Sequence, residues 1–284
     1  MDIDLDTRPS PIAGRWYPGN AGQLARDVDG YLYAAELPEI RGEVIGVIAP
    51  HAGHRYSGPV AGYAFAALRD TQPDLVAVIS PMHHPYAQPL LTSAHMAYQT
   101  PLGQIMIDRE AVAVLNAELD QAVGLELTPV RNDQEHSLEI ELPFLQRALE
   151  SEFRLLPVMV RDQSPIVGQA LGESLAKALH DQNGLLVASS DLSHFYSQAQ
   201  ANVLDGEMLR QVEAFDPLGV LRTEEQGKGF ACGRIAIAAM LWAARELGAN
   251  SVQILNYATS GEVTGDLREV VGYAAAVITR VERG

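Results

Sequence analysis

The chain has 284 residues, of which 47% are apolar, and its formal net charge is −16. This negative charge argues against a nucleic-acid partner, because binding nucleic acid needs a basic surface. The one cysteine excludes a disulfide within the chain. The acidic start, Met1 to Asp6, lacks the basic and apolar regions of a signal peptide, and the apolar run near residues 235–244 is too short to span a bilayer. We therefore expect a cytoplasmic protein with no membrane partner. Because no linker divides the sequence, we also expect a single domain over residues 1–284.

The pattern of apolar residues predicts alternating helices and strands. A turn-rich opening segment leads to Asn20, a helix N-cap, and Leu24, Val28 and Leu32 form the inward face of the helix that follows. The later predicted strands are 43–49, 75–79, two short ones near 89–97 and 104–107, one near 123–129, and then 154–160, 184–190, 251–258 and 270–279. The later predicted helices are 60–69, 109–118, a helix over 137–150 bent at Pro143, 165–180, 200–213 and 233–247.

The order of these segments indicates the fold class. Residues 43–79 read as strand, helix and strand, a βαβ unit that implies parallel strands. The alternation returns over 154–190, whereas 251–279 reads as two strands separated by a glycine turn at Gly261 and Gly265. We therefore expect an α/β protein with a mixed central sheet flanked by helices.

Several histidines stand directly after predicted strands. His51 follows strand 43–49, and the pair His83-His84 follows strand 75–79. In open parallel sheets ligands bind outside the carboxyl ends of the strands, so these imidazoles predict a metal or catalytic site there, although a lone histidine also fits a hydrogen-bonded loop. Because adjacent residues of an extended chain point opposite ways, we expect His83 to face His51. We expect His84 to lie outside the His51–His83 pair, where it either contributes to binding of a cofactor or has a structural role.

Asp191 and His194 follow strand 184–190 and stand three residues apart. If a helix begins here, the two side chains share one face and can act as an acid–base histidine and the carboxylate that orients it. The alternative is that Asp191 only caps the next helix.

Cys232 lies between Gly229 and Gly233 at the start of a predicted helix. The positive end of the helix dipole there favours the thiolate, although a buried inert cysteine is an equal alternative. A thiolate with two neutral imidazoles suits iron, copper or zinc, whereas magnesium and calcium prefer oxygen ligands.

Two further residues complete the candidate site. His136, near a helix start, is expected to be a neutral hydrogen-bonding group in the pocket, or else an N-terminal cap. Tyr56 lies beside His51 in the sequence and can donate to a bound ligand.

Short motifs along nearly the whole chain resemble the Memo-like family, which shares the fold of the class III extradiol ring-cleaving dioxygenases. They are Arg8 to Pro18, Ala49 to Gly53, Ser80 to His84, Asp133 to Ser137, Ser189 to His194, Ala231 to Arg234 and Asn256 to Ala258.

The resemblance implies a pocket in which His51, His83 and Cys232 bind iron or copper, with Asp191 and His194 beside the metal. In the dioxygenases the third ligand is a glutamate on ferrous iron, and the position of His194 holds an acid–base histidine. A thiolate instead of that carboxylate favours softer metals and is itself oxidisable, so ring cleavage does not follow from the resemblance. Bacterial members also resemble one component of a set (AmmeMemoRadiSam, protein B) that includes a radical-SAM protein, which implies a partner of that kind.

Three functions fit these residues. The first is a metal-dependent redox protein in which His194 moves protons and Asp191 orients it or completes the coordination sphere. The second is a non-catalytic module that binds a small molecule or peptide, with Arg55 and Tyr56 at the mouth of the cleft. The third is a zinc hydrolase that uses metal-bound water.

Overall fold

The structure, a computed structural model, describes residues 5–282, and the first four residues of the acidic start lie outside this range. The helices are α1 (Ala21–Ala34), α2 (His54–Ala66), α3 (Arg109–Val123), α4 (Leu142–Ala148), α5 (Pro165–Leu179), α6 (Gln198–Glu213), α7 (Pro217–Glu225), α8 (Arg234–Glu246) and α9 (Gly261–Thr264). The strands are β1 (Thr7–Arg8), β2 (Glu43–Ala49), β3 (Leu75–Pro81), β4 (Leu90–Ser93), β5 (Ala97–Thr100), β6 (Gly103–Met106), β7 (Thr128–Val130), β8 (Arg154–Val160), β9 (Gly184–Ser189), β10 (His194–Tyr196), β11 (Ser251–Thr259) and β12 (Val270–Arg280).

Within residues 5–282 the strands form one nine-stranded sheet and one three-stranded sheet. The large sheet has the order β10-β12-β2-β9-β3-β8-β4-β7, with β11 paired to β12, and the small sheet has the order β1-β5-β6. The central strands β2, β9, β3 and β8 are parallel, whereas β12 and β4 run antiparallel to their inner neighbours β2 and β8. The expected mixed central sheet with flanking helices is confirmed.

Two apolar layers cover the two faces of the large sheet. In β3, Leu75, Ala77 and Ile79 pack in the layer that contains α3, α5 and α8, whereas Val76 and Val78 pack in the layer that contains α1, α2 and α4. Because successive side chains of a strand point to opposite faces, a strand covered on both faces has to be apolar throughout. This explains the unbroken apolar runs that mark the central strands in the sequence.

Some predicted boundaries need correction. The helix expected over 60–69 begins at His54, because the chain turns into a helix directly after Gly53. The strand expected near 123–129 is only Thr128–Val130, because the preceding helix continues to Val123 and ends at Gly124 with a φ of 64°. At such a left-handed position glycine carries no steric cost.

Three other segments also differ from the prediction. The helix expected over 137–150 is a 3₁₀ turn at Glu139–Glu141 followed by α4, since Pro143 fits only the first turn of a helix. Helix α7 was not predicted, although Asp216 accepts from the N–H of Gly219 and Pro217 is the first helical residue. The glycine turn between the last two strands contains the short helix α9.

None of the helices in the described part of the chain is long and apolar enough to cross a membrane. The expectation of one domain over the full length stays a prediction.

The contact between α5 and α8 predicts the effect of a single methyl group. A Cβ on Gly172 would lie 2.5 Å from the carbonyl oxygen of Ala239 and 2.6 Å from Cβ of Trp242, so Gly172→Ala is expected to lower the free energy of unfolding by about 1–3 kcal/mol through overpacking. Gly206, an exposed residue of α6, has nothing within 4 Å of the same position. Gly206→Ala is therefore expected to raise the free energy of unfolding by about 0.4–1 kcal/mol. Urea denaturation measures both, and equal effects would contradict the close packing of the two helices.

Candidate metal centre

Three histidines converge at the carboxyl ends of the central strands. His51 follows β2, His83 follows β3 after Met82, and His136 lies in the loop before the 3₁₀ turn. One ring nitrogen from each lies within 4.8 Å of the others, and the ring centroids are 5.3, 5.4 and 4.8 Å apart. His51 is buried, whereas the side chain of His83 is 35% exposed. The three-histidine group is therefore open to a ligand on one side.

Glu135 is hydrogen-bonded to the ring of His83 and lies close to the ring of His136. Its Oε1 lies 2.9 Å from Nδ1 of His83 and 3.2 Å from Nδ1 of His136. The same carboxylate accepts the backbone N–H groups of His83, His136 and Ser137. Burial alone would raise the pKa of Glu135, but His83, His136 and these N–H groups hold it well below its usual range. A carboxylate on Nδ1–H of His83 leaves Nε2 as the ligand nitrogen and makes it more basic.

A buried arginine holds the loop that carries Glu135 and His136. Arg8, on β1, is 1% exposed and donates to both carboxylate oxygens of Asp133 at 2.8 and 2.7 Å. It also donates to Glu139 Oε2 at 2.5 Å and to the carbonyl oxygen of Glu135 at 2.8 Å. The guanidinium of Arg8 thus pairs with the buried carboxylates of Asp133 and Glu139. Loss of Arg8 would leave both carboxylates buried without a counter-charge.

Burial keeps the rings of His51 and His136 neutral. It is the largest cause that lowers the pKa of His51 well below the usual value, with the neighbouring charges of His136 and His83 next. Burial likewise lowers the pKa of His136 to about 4. A neutral imidazole is the form that binds a metal ion, so at neutral pH these two rings need no deprotonation before they bind one.

Cys232 contacts one member of the group. Its Sγ lies 3.1 Å from Nε2 of His51, but the set whose ligand atoms all lie within 4.8 Å of one another consists of His51, His83 and His136. The expected thiolate is wrong for this state: burial first, and then the charge of Asp191, raise the pKa of Cys232. Cys232 precedes the N-cap Gly233, and its thiol proton can go to Nε2 of His51 or to the carbonyl oxygen of Asp191, 3.6 Å from the sulfur. Its role as a metal ligand stays a prediction.

Asp191 and His194 both reach the site, but not as the expected pair. Asp191 accepts the backbone N–H of His51 at 2.8 Å and that of Ala52, and burial raises the pKa of Asp191 to about 7. His194 begins β10 rather than a helix, and its Nδ1 lies 2.8 Å from the carbonyl oxygen of Leu192. The carbonyl oxygen of Leu192 therefore orients the ring of His194. The expected helix is absent because His194 starts strand β10, which pairs with β12.

His194 nevertheless lies near the three-histidine group. A charge on His83 lowers the pKa of His194, and a charge on His194 lowers that of His51. Burial is the largest cause of the lowered pKa of His194. Its role in acid–base catalysis stays a prediction.

The two residues expected to contact a cofactor lie apart from each other. His84 is exposed, and its Nε2 lies 3.1 Å from the carbonyl oxygen of Gln134. Tyr56 is 40% exposed and lines a cleft of about 410 Å³ together with Trp16, Phe195 and Tyr273. Trp16 also contacts the three-histidine group, since its ring centroid lies 4.1 Å from that of His136. The cleft therefore adjoins the candidate metal centre.

Sequence reasoning missed Glu135, Arg8 and Trp16 as parts of this site. Glu135 stands beside His136, and an acid next to a histidine was the available signal. The pairing of Arg8 with Asp133 joins residues 125 positions apart, and nothing in the local pattern of either segment indicates it.

Comparison with known proteins gives a consistent match over most of the chain. A profile described as Memo-like protein matches residues 8–277. A MEMO1 family protein of Methanococcoides burtonii is 34% identical over 273 residues, which cover 95% of this chain and 99% of that protein. One of Nitrosopumilus maritimus is 31% identical over 94% of this chain and 98% of its own length. The crystal structure of an uncharacterized protein from Escherichia coli K12 covers 83% of this chain and 100% of its own at 12% identity, with a TM-score of 0.48.

The buried arginine yields a test of how the site is held. Arg8→Met leaves Asp133 and Glu139 buried without their cation, so it is expected to lower the free energy of unfolding by about 3–5 kcal/mol. Arg41→Met removes a pair with Glu39 whose side chains are 75% and 73% exposed, and it is expected to cost at most about 1 kcal/mol. Denaturant unfolding of both variants measures the difference. A near-neutral Arg8→Met would show that the loop is held by other contacts.

Proposed function

We propose that this chain, which belongs to the Memo-like protein family, holds a redox-active metal ion with His51, His83 and His136 and acts on a small molecule bound in the adjoining cleft. The observation that carries the proposal is the convergence of three imidazoles, two of them with Nδ1 engaged by a neighbouring oxygen. Such support fixes the tautomer of a ligand histidine and its orientation.

The donor set fits some metals and not others. Neutral imidazoles suit iron, copper and zinc, whereas magnesium and calcium require oxygen ligands. The sulfur of Cys232, 3.1 Å from Nε2 of His51, would add a soft ligand that iron, copper and zinc all accept, and of these metals we propose iron or copper. Such an ion, when bound, supplies one-electron chemistry that amino-acid side chains lack.

The surrounding residues supply binding and proton transfer. Trp16, Tyr56 and Phe195 line an aromatic cleft next to the group, and they would hold an apolar ligand and exclude water from it. His194, a neutral imidazole beside the three-histidine group, would accept a proton from that ligand or return one. Asp191 fixes the loop at His51 through the backbone. The cytoplasmic location and a radical-SAM partner protein are further parts of the proposal, and they rest on the sequence alone.

The proposed role of the three histidines can be tested by removing one of them. His51→Ala or His136→Ala removes one of three convergent ligands, so the metal content of anaerobically purified protein, measured by plasma mass spectrometry, is expected to fall from stoichiometric to background. His180→Ala is the matched control, because that side chain is 79% exposed and contacts Asp181, and it should retain the metal. Unchanged metal content in both site variants would contradict the proposed centre.

The redox assignment has its own test. For bound iron, the negative charge of a thiolate ligand stabilises the oxidised form, so Cys232→Ala is expected to raise the midpoint potential of the metal above that of wild type. For bound copper, soft sulfur favours Cu(I) and the same change is expected to lower the potential. EPR during a redox titration follows either shift. His180→Ala should leave the potential unchanged. If wild type binds zinc alone and gives no signal in any state, the zinc hydrolase becomes the better assignment.

A further inference from the structure

Ser189, the last residue of β9, connects the metal centre to a carboxyl group in the core. Its hydroxyl oxygen lies 2.9 Å from Nδ1 of His51, 2.7 Å from Oε1 of Glu141 and 2.7 Å from the carbonyl oxygen of Ser137. Ser189 and Glu141 are both 0% exposed. The chain of contacts therefore runs from His51 to Glu141 through one serine and is closed to solvent.

The number of available protons decides the state of the His51 ring. A hydroxyl has one proton, and the carbonyl oxygen of Ser137 can only accept. If the hydroxyl donated to Nδ1, that carbonyl would face an oxygen lone pair at 2.7 Å with no proton between them. The contacts are all satisfied only when the hydroxyl proton goes to the carbonyl oxygen of Ser137, Nδ1–H of His51 donates to the Ser189 oxygen, and Glu141 donates to the same oxygen as a protonated carboxyl group. This tautomer leaves the lone pair of Nε2 free.

Glu141 has no structural partner that explains its burial. Its Oε2 is buried and has no hydrogen-bond partner within the described residues, and its Oε1 contacts Ser189. Burial raises the pKa of Glu141 well above its usual value, and Asp191 raises it further. Burying a carboxyl group with one unsatisfied oxygen costs free energy. The contact with Ser189 is therefore the interaction through which Glu141 can have a role.

We propose that Ser189 and Glu141 are positioning residues that lock His51 as the Nδ1–H tautomer, with Nε2 presented as the metal ligand. This inference rests on the proposed metal centre and adds for His51 the kind of ring support that Glu135 gives to His83. Ser189 fixes the ring directly. Glu141 contacts the hydroxyl group of Ser189 and helps to keep the hydroxyl proton from pointing at the ring of His51.

The tautomer can be read in metal-free protein. Long-range ¹H–¹⁵N correlation spectra distinguish the two neutral forms of a histidine, and His51→Ala identifies the His51 signals by their loss. Wild type is expected to show His51 with a protonated Nδ1. Ser189→Ala is expected to shift His51 towards the Nε2–H form. Ser174→Ala, which alters a serine that is buried in α5 and 1% exposed, should leave the spectrum unchanged.

Substitutions of Glu141 separate its role from that of Ser189. Glu141→Gln keeps an oxygen and a donor facing the hydroxyl and should retain the wild-type tautomer. Glu141→Leu removes both and should give a mixture of the two forms. In the Ser189→Ala background neither change should have an additional effect, because the connection is already cut. An Nε2–H form in wild type, an unaltered tautomer in Ser189→Ala, or a wild-type spectrum in Glu141→Leu would overturn the inference.

Metal titration distinguishes failure of this inference from failure of the proposed function. With cobalt(II) as the probe, Ser189→Ala is expected to bind about 10–100-fold more weakly than wild type, and Glu141→Gln should bind like wild type. If wild type binds no cobalt but shows the predicted tautomer, the proposed centre fails and the lock stands. Tight binding that is the same in wild type and Ser189→Ala would leave the centre intact and remove the lock.

Discussion

The candidate site depends on one buried carboxylate that contacts two histidines from different parts of the fold. Glu135 accepts from the ring and the backbone of His83, 52 residues away in the sequence, and from the backbone of His136 beside it. The two loops also share contacts of Ser137 Oγ with the carbonyl oxygen of Pro81 and of His84 Nε2 with that of Gln134, but neither of these two contacts involves a ring of the three-histidine group. Glu135 in turn stands in a loop that Arg8 holds through Asp133, Glu139 and a backbone carbonyl. The positions of His83 and His136 therefore depend on buried charge pairing around Glu135 and Arg8.

The sheet explains why these groups can meet at all. Strands β2, β9 and β3 are neighbours and parallel, so the residues after them leave the sheet on the same side. These ends supply His51, Ser189 and His83, and the chain after β9 continues to Asp191 and His194. Both faces of these strands are covered by apolar side chains, and the polar groups are thereby confined to the edge. An edge with buried walls lowers the pKa of an isolated imidazole and keeps it neutral.

The sequence was informative where the physical signal is local. Unbroken apolar runs located the central strands within one or two residues, and the rule that ligands bind at strand ends indicated His51 and His83 together. It was less informative about contacts between distant segments. Nothing near His136 shows that its ring lies against Trp16, and the short strand at His194 exists only because β12 is there to pair with it. The pairing of Arg8 with Asp133 is of the same kind, since a buried ion pair leaves no periodic pattern in either segment.

Cys232 shows how the state of a ligand depends on what else occupies the site. When His51 carries its proton on Nδ1, the protonated thiol can donate to Nε2 of His51, the nitrogen that the contact with Ser189 leaves free. The same lone pair cannot accept the thiol proton and bind a cation. A metal ion on His51 must therefore displace this hydrogen bond, and if the sulfur becomes a ligand its proton has to leave, because the thiolate is the form that binds metal. The imidazole and the thiol thus contact each other in the metal-free site, and in the proposed centre the same pair would supply two ligands to one ion.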